Sequence, residues 1–153
     1  MQKITPNLWF EGNAKEAVDF YVSVFKDAKV LNISYYPSLE EGALADFQKS
    51  MAGKVLAIDF ELFGQKFTAI NAGPEFKFNE SVSFLVACKD QDEIDYYWKK
   101  LTADGGQESV CGWLKDKYGL SWQIAPQNMD ELIKKSGAFK VMMGQKKIII
   151  ADY

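Results

Sequence analysis

Histidine is absent from all 153 residues. Its absence removes the side chain that most often serves as acid or base near neutral pH, and the commonest nitrogen ligand of zinc. Cysteine is nearly as scarce. Cys88 and Cys111 are too few for a disulfide framework and are not spaced as a metal knuckle, so reduced thiols are expected. No stretch approaches the roughly 18 apolar residues of a membrane helix, and Met1 to Trp9 holds no apolar run of signal-peptide length. A cytoplasmic protein with no membrane partner is the expectation. Nor is there a block of one charge: at a net −3, with lysines scattered among acidic residues, the chain offers no stripe for a phosphate backbone, and a nucleic-acid partner is not expected.

What is present is globular. Hydrophobic residues at 48% and aromatics at 14% supply a core, and 25% charged residues supply a wet surface. A chain this long buries most of the apolar surface that its unfolded form exposes. Cys88 closes the apolar run Phe84 to Ala87, which points to packing. Cys111 precedes Gly112 and Trp113; a thiol there becomes reactive only where its surroundings lower its pKa.

An internal repeat organises the sequence. Asn13-Ala-Lys-Glu16 and Asp90-Gln-Asp-Glu93 each place a capping residue three positions before a glutamate, the signature of a helix start. Ala17, Phe20, Tyr21 and Val24 follow the first at helical spacing; Ile94, Tyr97, Trp98 and Leu101 follow the second. Each member of the second set stands 77 positions after its counterpart, as Leu85 does after Leu8 and Asp104 after Asp27. A duplicated unit that begins strand, helix explains this better than two unrelated amphipathic helices. Strands then follow in both halves. Val30 to Tyr36 reads as a strand; Val55 to Phe63 and Lys66 to Asn71 read as a hairpin turning at Gly64-Gln65. Gly112 to Lys115 and Leu120 to Ala125 echo it around Asp116-Lys-Tyr-Gly119, and Pro126 ends the last strand. Residues 37–54 are too long for a plain hairpin and read as a lid or a surface loop. Past Pro126, Asn128 caps a predicted helix through Met129, Leu132 and Ile133, and Ala138 to Met143 forms another. Ile148-Ile-Ile150 needs cover, from this domain or from a second copy.

Three blocks carry a resemblance: Ile4-Thr-Pro-Asn-Leu-Trp-Phe-Glu-Gly-Asn-Ala-Lys-Glu-Ala-Val-Asp-Phe-Tyr21, Gly73-Pro-Glu-Phe-Lys-Phe-Asn79 and Cys111-Gly-Trp-Leu-Lys-Asp-Lys-Tyr-Gly-Leu-Ser-Trp-Gln-Ile124. Together they resemble the PhnB-like branch of the vicinal oxygen chelate (glyoxalase/bleomycin-resistance/dioxygenase) superfamily, whose chains often bear the label 3-demethylubiquinone-9 3-methyltransferase domain. The resemblance covers nearly the whole chain. It implies a single α+β domain of glyoxalase-like fold, with two βαβββ modules whose mixed sheet curls into a cup, usually as a homodimer. Module one then spans about 1–75, module two about 76–126 and a C-terminal helical tail about 127–153. Methyl transfer itself does not fit: the sequence has no glycine-rich turn between a first strand and a helix that would let backbone approach S-adenosylmethionine.

Enzymes of the superfamily commonly hold a divalent metal with His, Gln or Glu from four strands, so that neighbouring substrate oxygens chelate it. The corresponding places here are Pro6, Thr68, Ser83 and Gln123, of which only Gln123 carries a ligand. No resident metal or other cofactor is expected, beyond weakly held magnesium or manganese. On the first hairpin, alternation sends Ile58, Phe60, Leu62, Phe67 and Ala69 to the helix side, and Asp59, Glu61 and Thr68 to the other. Glu61 and Asp59 are the candidate catalytic bases if buried; otherwise they are solvated strand residues or pair with Lys66. Leu8, Phe10, Tyr36 and Trp113 are candidate walls of a small-ligand pocket, with Thr68, Asn71 and Gln123 as its polar contacts. The leading expectation is a metal-independent, dimeric binder of an unknown small molecule, sequestering rather than converting it. The alternatives are an isomerase, lyase or dioxygenase working through a cup carboxylate, and a purely structural or interaction module.

Overall fold

The computed structural model describes residues 1–153. The chain forms two compact units, Met1–Lys77 and Phe78–Tyr153, each built as βαβββ around its own mixed sheet. In the first unit, β1 (Asn7–Glu11), α1 (Ala14–Val24), β2 (Ala28–Tyr35), β3 (Val55–Leu62) and β4 (Gln65–Ala72) give a sheet ordered β1-β4-β3-β2, with β1 parallel to β4 and the other pairs antiparallel. The second unit runs β5 (Ser83–Cys88), α2 (Gln91–Thr102), β6 (Gln107–Glu108), β7 (Trp113–Lys115) and β8 (Ser121–Pro126), and its sheet has the equivalent order β5-β8-β7-β6. Two short helices follow, α3 (Met129–Leu132) and α4 (Ala138–Gly144). The strand β6 has two exposed residues, too few to show any alternation, and sequence reading does not reveal it.

Helical periodicity and strand alternation meet in each core. Ala17, Val18, Tyr21 and Val24 of α1 are buried, as are Ile58, Phe60, Leu62, Phe67 and Ala69 of the hairpin, with the Tyr21 and Phe60 rings stacked at 6.2 Å. The hairpin turns one residue earlier than predicted, at Phe63-Gly64. Both have positive φ, 50° and 77°, the type I′ geometry whose twist suits a two-residue hairpin. Glycine adopts that conformation freely, whereas Phe63 is held in it while its ring meets Phe25 edge-on at 5.9 Å.

The constant offset holds in the helices and breaks in the first strands. Ala17, Tyr21 and Val24 match Ile94, Trp98 and Leu101, all buried. Leu8 and Phe10 are buried, but Leu85 is 58% exposed, and the inward residues of β5 are Val86 and Cys88. The first half therefore carries one extra residue between strand and helix. Gly12 provides it, at φ +77° and with open space around it. The caps diverge as a result. Asp90 accepts the Glu93 N–H at 2.9 Å, as predicted, whereas Asn13 makes no side-chain cap bond. Instead Asn71, arriving on β4, accepts the Ala14 N–H at 3.1 Å.

In the second unit the Asp116 carboxylate, 2% exposed, builds the turn between β7 and β8. It accepts Tyr118 N–H and Leu120 N–H through Oδ1 and the Trp122 indole N–H through Oδ2. Ile148 is buried here, and Gln91 binds the backbone at both Ile148 and Ile150, so the apolar end packs on its own unit. Cys111 N–H and Gly112 N–H donate to the carbonyls of Gln145 and Lys146. A Cβ on Gly112 would stand 2.9 Å from the Ile124 carbonyl and 3.1 Å from Ile148, so the last segment needs glycine at that place. Asn128 precedes α3 without a side-chain cap bond.

Candidate functional site

The ladder of the first sheet decides which side chains share its outer face. Asn7, Thr68 and Asp59 stand in one row, and Trp9, Ile70 and Ala57 in the next, because β1, β4 and β3 pair in that register. All lie on the side opposite the buried Leu8, Phe10, Ala69 and Ile58. Over the apolar rows, residues 37–54 fold back as a loop. Its base is tied by Tyr36 N–H to the Lys54 carbonyl and Gly53 N–H to the Pro37 carbonyl, and it contains two 3₁₀ turns, Leu39–Glu41 and Asp46–Met51. Sheet face and loop together enclose a cavity of about 530 Å³. Trp9, Ile70 and Ala72 line it from the sheet, Tyr36, Phe47 and Met51 from the loop side, and Gly73, Pro74 and Glu75 from the end of β4. The segment read as a lid or a surface loop is thus a loop that walls a cavity.

The polar atoms of the aromatic walls are engaged by the protein. Trp9 Nε1–H donates to the Gly73 carbonyl at 2.8 Å, and the Tyr36 hydroxyl donates to the Asn71 carbonyl at 2.7 Å. The cavity is therefore faced mainly by rings, a thioether and alkyl groups, with Gln48, Ser50 and Glu75 as its polar side chains, the ordinary make-up of a small-molecule site.

Several candidate residues are displaced from the places the sequence suggested. Leu8 and Phe10, expected as pocket walls, are 6% and 2% exposed and belong to the core; their neighbour Trp9 faces the cavity instead. Three consecutive apolar residues hide which face each takes, and a slip of one residue inverts the assignment. Asn71, expected as a ligand contact, is 6% exposed and structural: its Oδ1 holds the start of α1 and its Nδ2 donates to the Val55 carbonyl at 3.0 Å. Tyr36 lines the cavity as expected. Asp59, Glu61 and Thr68 do share the outer face, yet none lines the cavity. Asp59 accepts the Thr68 hydroxyl at 2.7 Å, and Glu61 lies 3.7 Å from the Lys29 ammonium rather than pairing with Lys66. Trp9, Phe47, Met51, Ile70 and Glu75 were missed. The alternation that sends Thr68 outward sends Ile70 outward as well, which is the one signal that pointed there.

Trp113 and Gln123 are cross-strand neighbours in the second unit. Trp113 borders a hollow of about 160 Å³ with Lys115 and Glu80. The hydrogen bond from Lys115 holds the Glu80 carboxyl below the usual carboxylate range. Gln123 Nε2–H donates to the Ser83 hydroxyl at 2.9 Å, so two of the four inferred ligand places do meet. Burial, then Glu93 and Asp90, pushes the Cys88 thiol up to about 12, which fits packing and not reaction. Cys111 lies 3.5 Å from the Met143 sulfur.

The topology defines a glyoxalase-like protein, an α+β fold of the vicinal oxygen chelate superfamily. Within it the chain belongs to the family described as 3-demethylubiquinone-9 3-methyltransferase, which matches residues 2–125, and it is PhnB-like. A PhnB protein from Bacillus cereus, provisionally named for the same methyltransferase, is 36% identical, covering 80% of this chain and 98% of that one at a TM-score of 0.67. Protein PA1353 of Pseudomonas aeruginosa shares the fold at 16% identity, with 82% and 98% covered and a TM-score of 0.59. The fosfomycin resistance protein FosX of Listeria monocytogenes, complexed with Mn(II) and 1S,2S-dihydroxypropylphosphonic acid, shares it at 11% identity, with 88% and 100% covered and a TM-score of 0.55. No curated protein matches the chain. No helix is long and apolar enough to cross a membrane.

A divalent metal of the superfamily kind does not fit these residues. Nowhere do three His, Cys, Asp or Glu side chains converge. Of the four places, Thr68 offers a hydroxyl already given to Asp59, Ser83 a hydroxyl oxygen that already accepts the Gln123 Nε2–H, and Gln123 a single neutral amide oxygen. Counting by twos from the outward Asn7 reaches Thr5, so Pro6 has the parity of the core face. Neutral oxygen donors alone hold Mg²⁺ or Mn²⁺ weakly, and zinc loses its nitrogen and thiolate ligands.

Proposed function

We propose that the protein binds a small, mainly apolar molecule in the cavity of its first unit, without a tightly held metal, and that sequestration rather than turnover is its task. The observation that carries this reading is the 530 Å³ space between the outer sheet face and the loop 37–54, walled by Trp9, Tyr36, Phe47 and Met51. Volume and lining match those of small-ligand sites, which span about 300–1,000 Å³. Asp59 and Glu61, the expected bases, stand outside that space, which speaks against turnover through them.

A thermal-shift screen against a broad library of apolar and mixed-polarity compounds tests the reading. A ligand at about 100 times its Kd adds about 2.7 kcal/mol of stability, and Ala72→Trp, which fills the floor, should abolish the shift. A library that never stabilises the protein, or shifts that survive Ala72→Trp, would refute it. Metal independence is tested separately: elemental analysis of protein purified without chelators should find substoichiometric metal, and a stoichiometric tight ion would defeat that half of the proposal.

A further inference from the structure

The cavity has one charged wall. Among its lining residues only Glu75 has an acidic side chain, and none is basic. Its carboxylate folds back over Gly73, where a Cβ would lie 2.6 Å from Oε2 and 2.8 Å from Oε1, so a side chain at 73 would push the carboxylate aside. No lysine pairs with it and no hydrogen bond takes it up, whereas Glu11, Glu61 and Asp46 in the same unit each lie against a lysine. The neutral polar groups on the rings are turned away, since Trp9 donates to the Gly73 carbonyl and Tyr36 to the Asn71 carbonyl. What borders the space is therefore the rings of Trp9, Tyr36 and Phe47, the apolar Met51 and Ile70, the neutral polar Gln48 and Ser50, and a single uncompensated negative charge.

A neutral ligand gains at most a hydrogen bond from the carboxylate, and an anionic one is repelled by it. An ammonium ion attached to an apolar body gains from both parts, because ring faces attract cations through their quadrupole while the carboxylate supplies the counter-charge. We infer that the ligand class of this site is an organic cation: an aromatic or aliphatic amine, or a quaternary ammonium, with its apolar body among Trp9, Tyr36, Phe47, Met51 and Ile70 and its charge toward Glu75. The inference rests on the proposed binding role of the cavity and specifies its ligand. It does not depend on any metal.

Three probes of one shape and different charge test it by calorimetry on the full chain: naphthylmethyl trimethylammonium, neutral naphthylmethanol and anionic naphthylacetate. The cation should bind about tenfold more tightly than the alcohol, the combined worth of a cation–π contact and a solvent-exposed ion pair. The anion should bind more weakly than either. Glu75→Gln should remove the ion-pair share of that advantage and leave only the smaller cation–π preference for the cation over the alcohol, and 0.5 M salt should reduce the cation's advantage in the parent protein. Equal binding of cation and alcohol, preference for the anion, or a cation preference undiminished in Glu75→Gln would overturn the cation assignment while leaving the binding cavity standing. Failure of all three probes, together with failure of the apolar library, would overturn the cavity reading as well.

Discussion

The two units solve the same backbone problem by different means. Each must satisfy the first free N–H groups of the helix that follows its first strand. The second unit does so locally, with Asp90 accepting the Glu93 N–H. The first has one more residue before its helix, Gly12 at positive φ, and takes its cap from Asn71 on β4. Phe10 pairs with Asn71 in the ladder just as Cys88 pairs with Pro126, so the second unit has proline where the first has its capping amide. The difference reaches the cavity. Asn71 also holds the Val55 carbonyl and receives the Tyr36 hydroxyl, residues at the two feet of the loop that walls the site. The second unit joins β6 to β7 through residues 109–112 alone, and the hollow beside these strands is about 160 Å³. Duplication kept the sheet and the helix; the inserted residue and the long loop made one copy a container.

The sharpest blow to one side of this comparison is Asp116→Ala. It strips three donors of their acceptor in the second unit and should cost about 3–4 kcal/mol in urea denaturation, with the loss confined to the transition that reports Trp122. Asn71→Ala comes next, at about 2 kcal/mol, because it uncovers the Ala14 N–H and the Val55 carbonyl in a buried setting. It should also weaken ligand binding. An effect no larger than that of Asp90→Ala would show that the two caps are equivalent after all. Gly12→Ala and Asp90→Ala should each cost about 1 kcal/mol, the first through backbone strain at φ +77° with no clash, the second through a lost exposed cap.

The mildest probe is alkali. Burial raises Tyr97 from 10.0 to about 12 and Cys88 from 9.0 to about 12, both in the second unit. The folded state thus favours the neutral forms. The stability they contribute is complete below the ordinary values and is lost as pH rises from about 9 through about 12. Circular dichroism along that ramp should show the second unit failing first, and Tyr97→Phe should flatten the slope. A first unit that unfolds earlier would reverse the comparison.

Sequence patterns made the helices, the first hairpin and the duplication legible because each is written in local periodicity: Ile58, Phe60 and Leu62 alternate, and Ala17, Tyr21 and Val24 recur a helical turn apart. The site was legible only in part. Nothing local distinguishes Trp9 from Leu8 and Phe10, since all three are large and apolar and the extra residue at Gly12 shifts the face without altering composition. Asn71 looked like a ligand contact because its true partners, Ala14 and Val55, are brought to it by folding. The loop wall of Phe47 and Met51 shows no period at all, so only the tertiary path of residues 37–54 reveals what they face.

Of the four tryptophans, three belong to the second unit, and Trp9 alone stands in the first. Trp98 and Trp122 are buried, and their indoles donate to carboxylates, whereas the Trp9 ring borders the cavity with Phe76 against it at 4.8 Å. A chain in which Trp98, Trp113 and Trp122 are replaced by phenylalanine would thus emit from the cavity wall only. The arrival of an occupant would become an optical event, read as a change in the wavelength and lifetime of a single fluorophore.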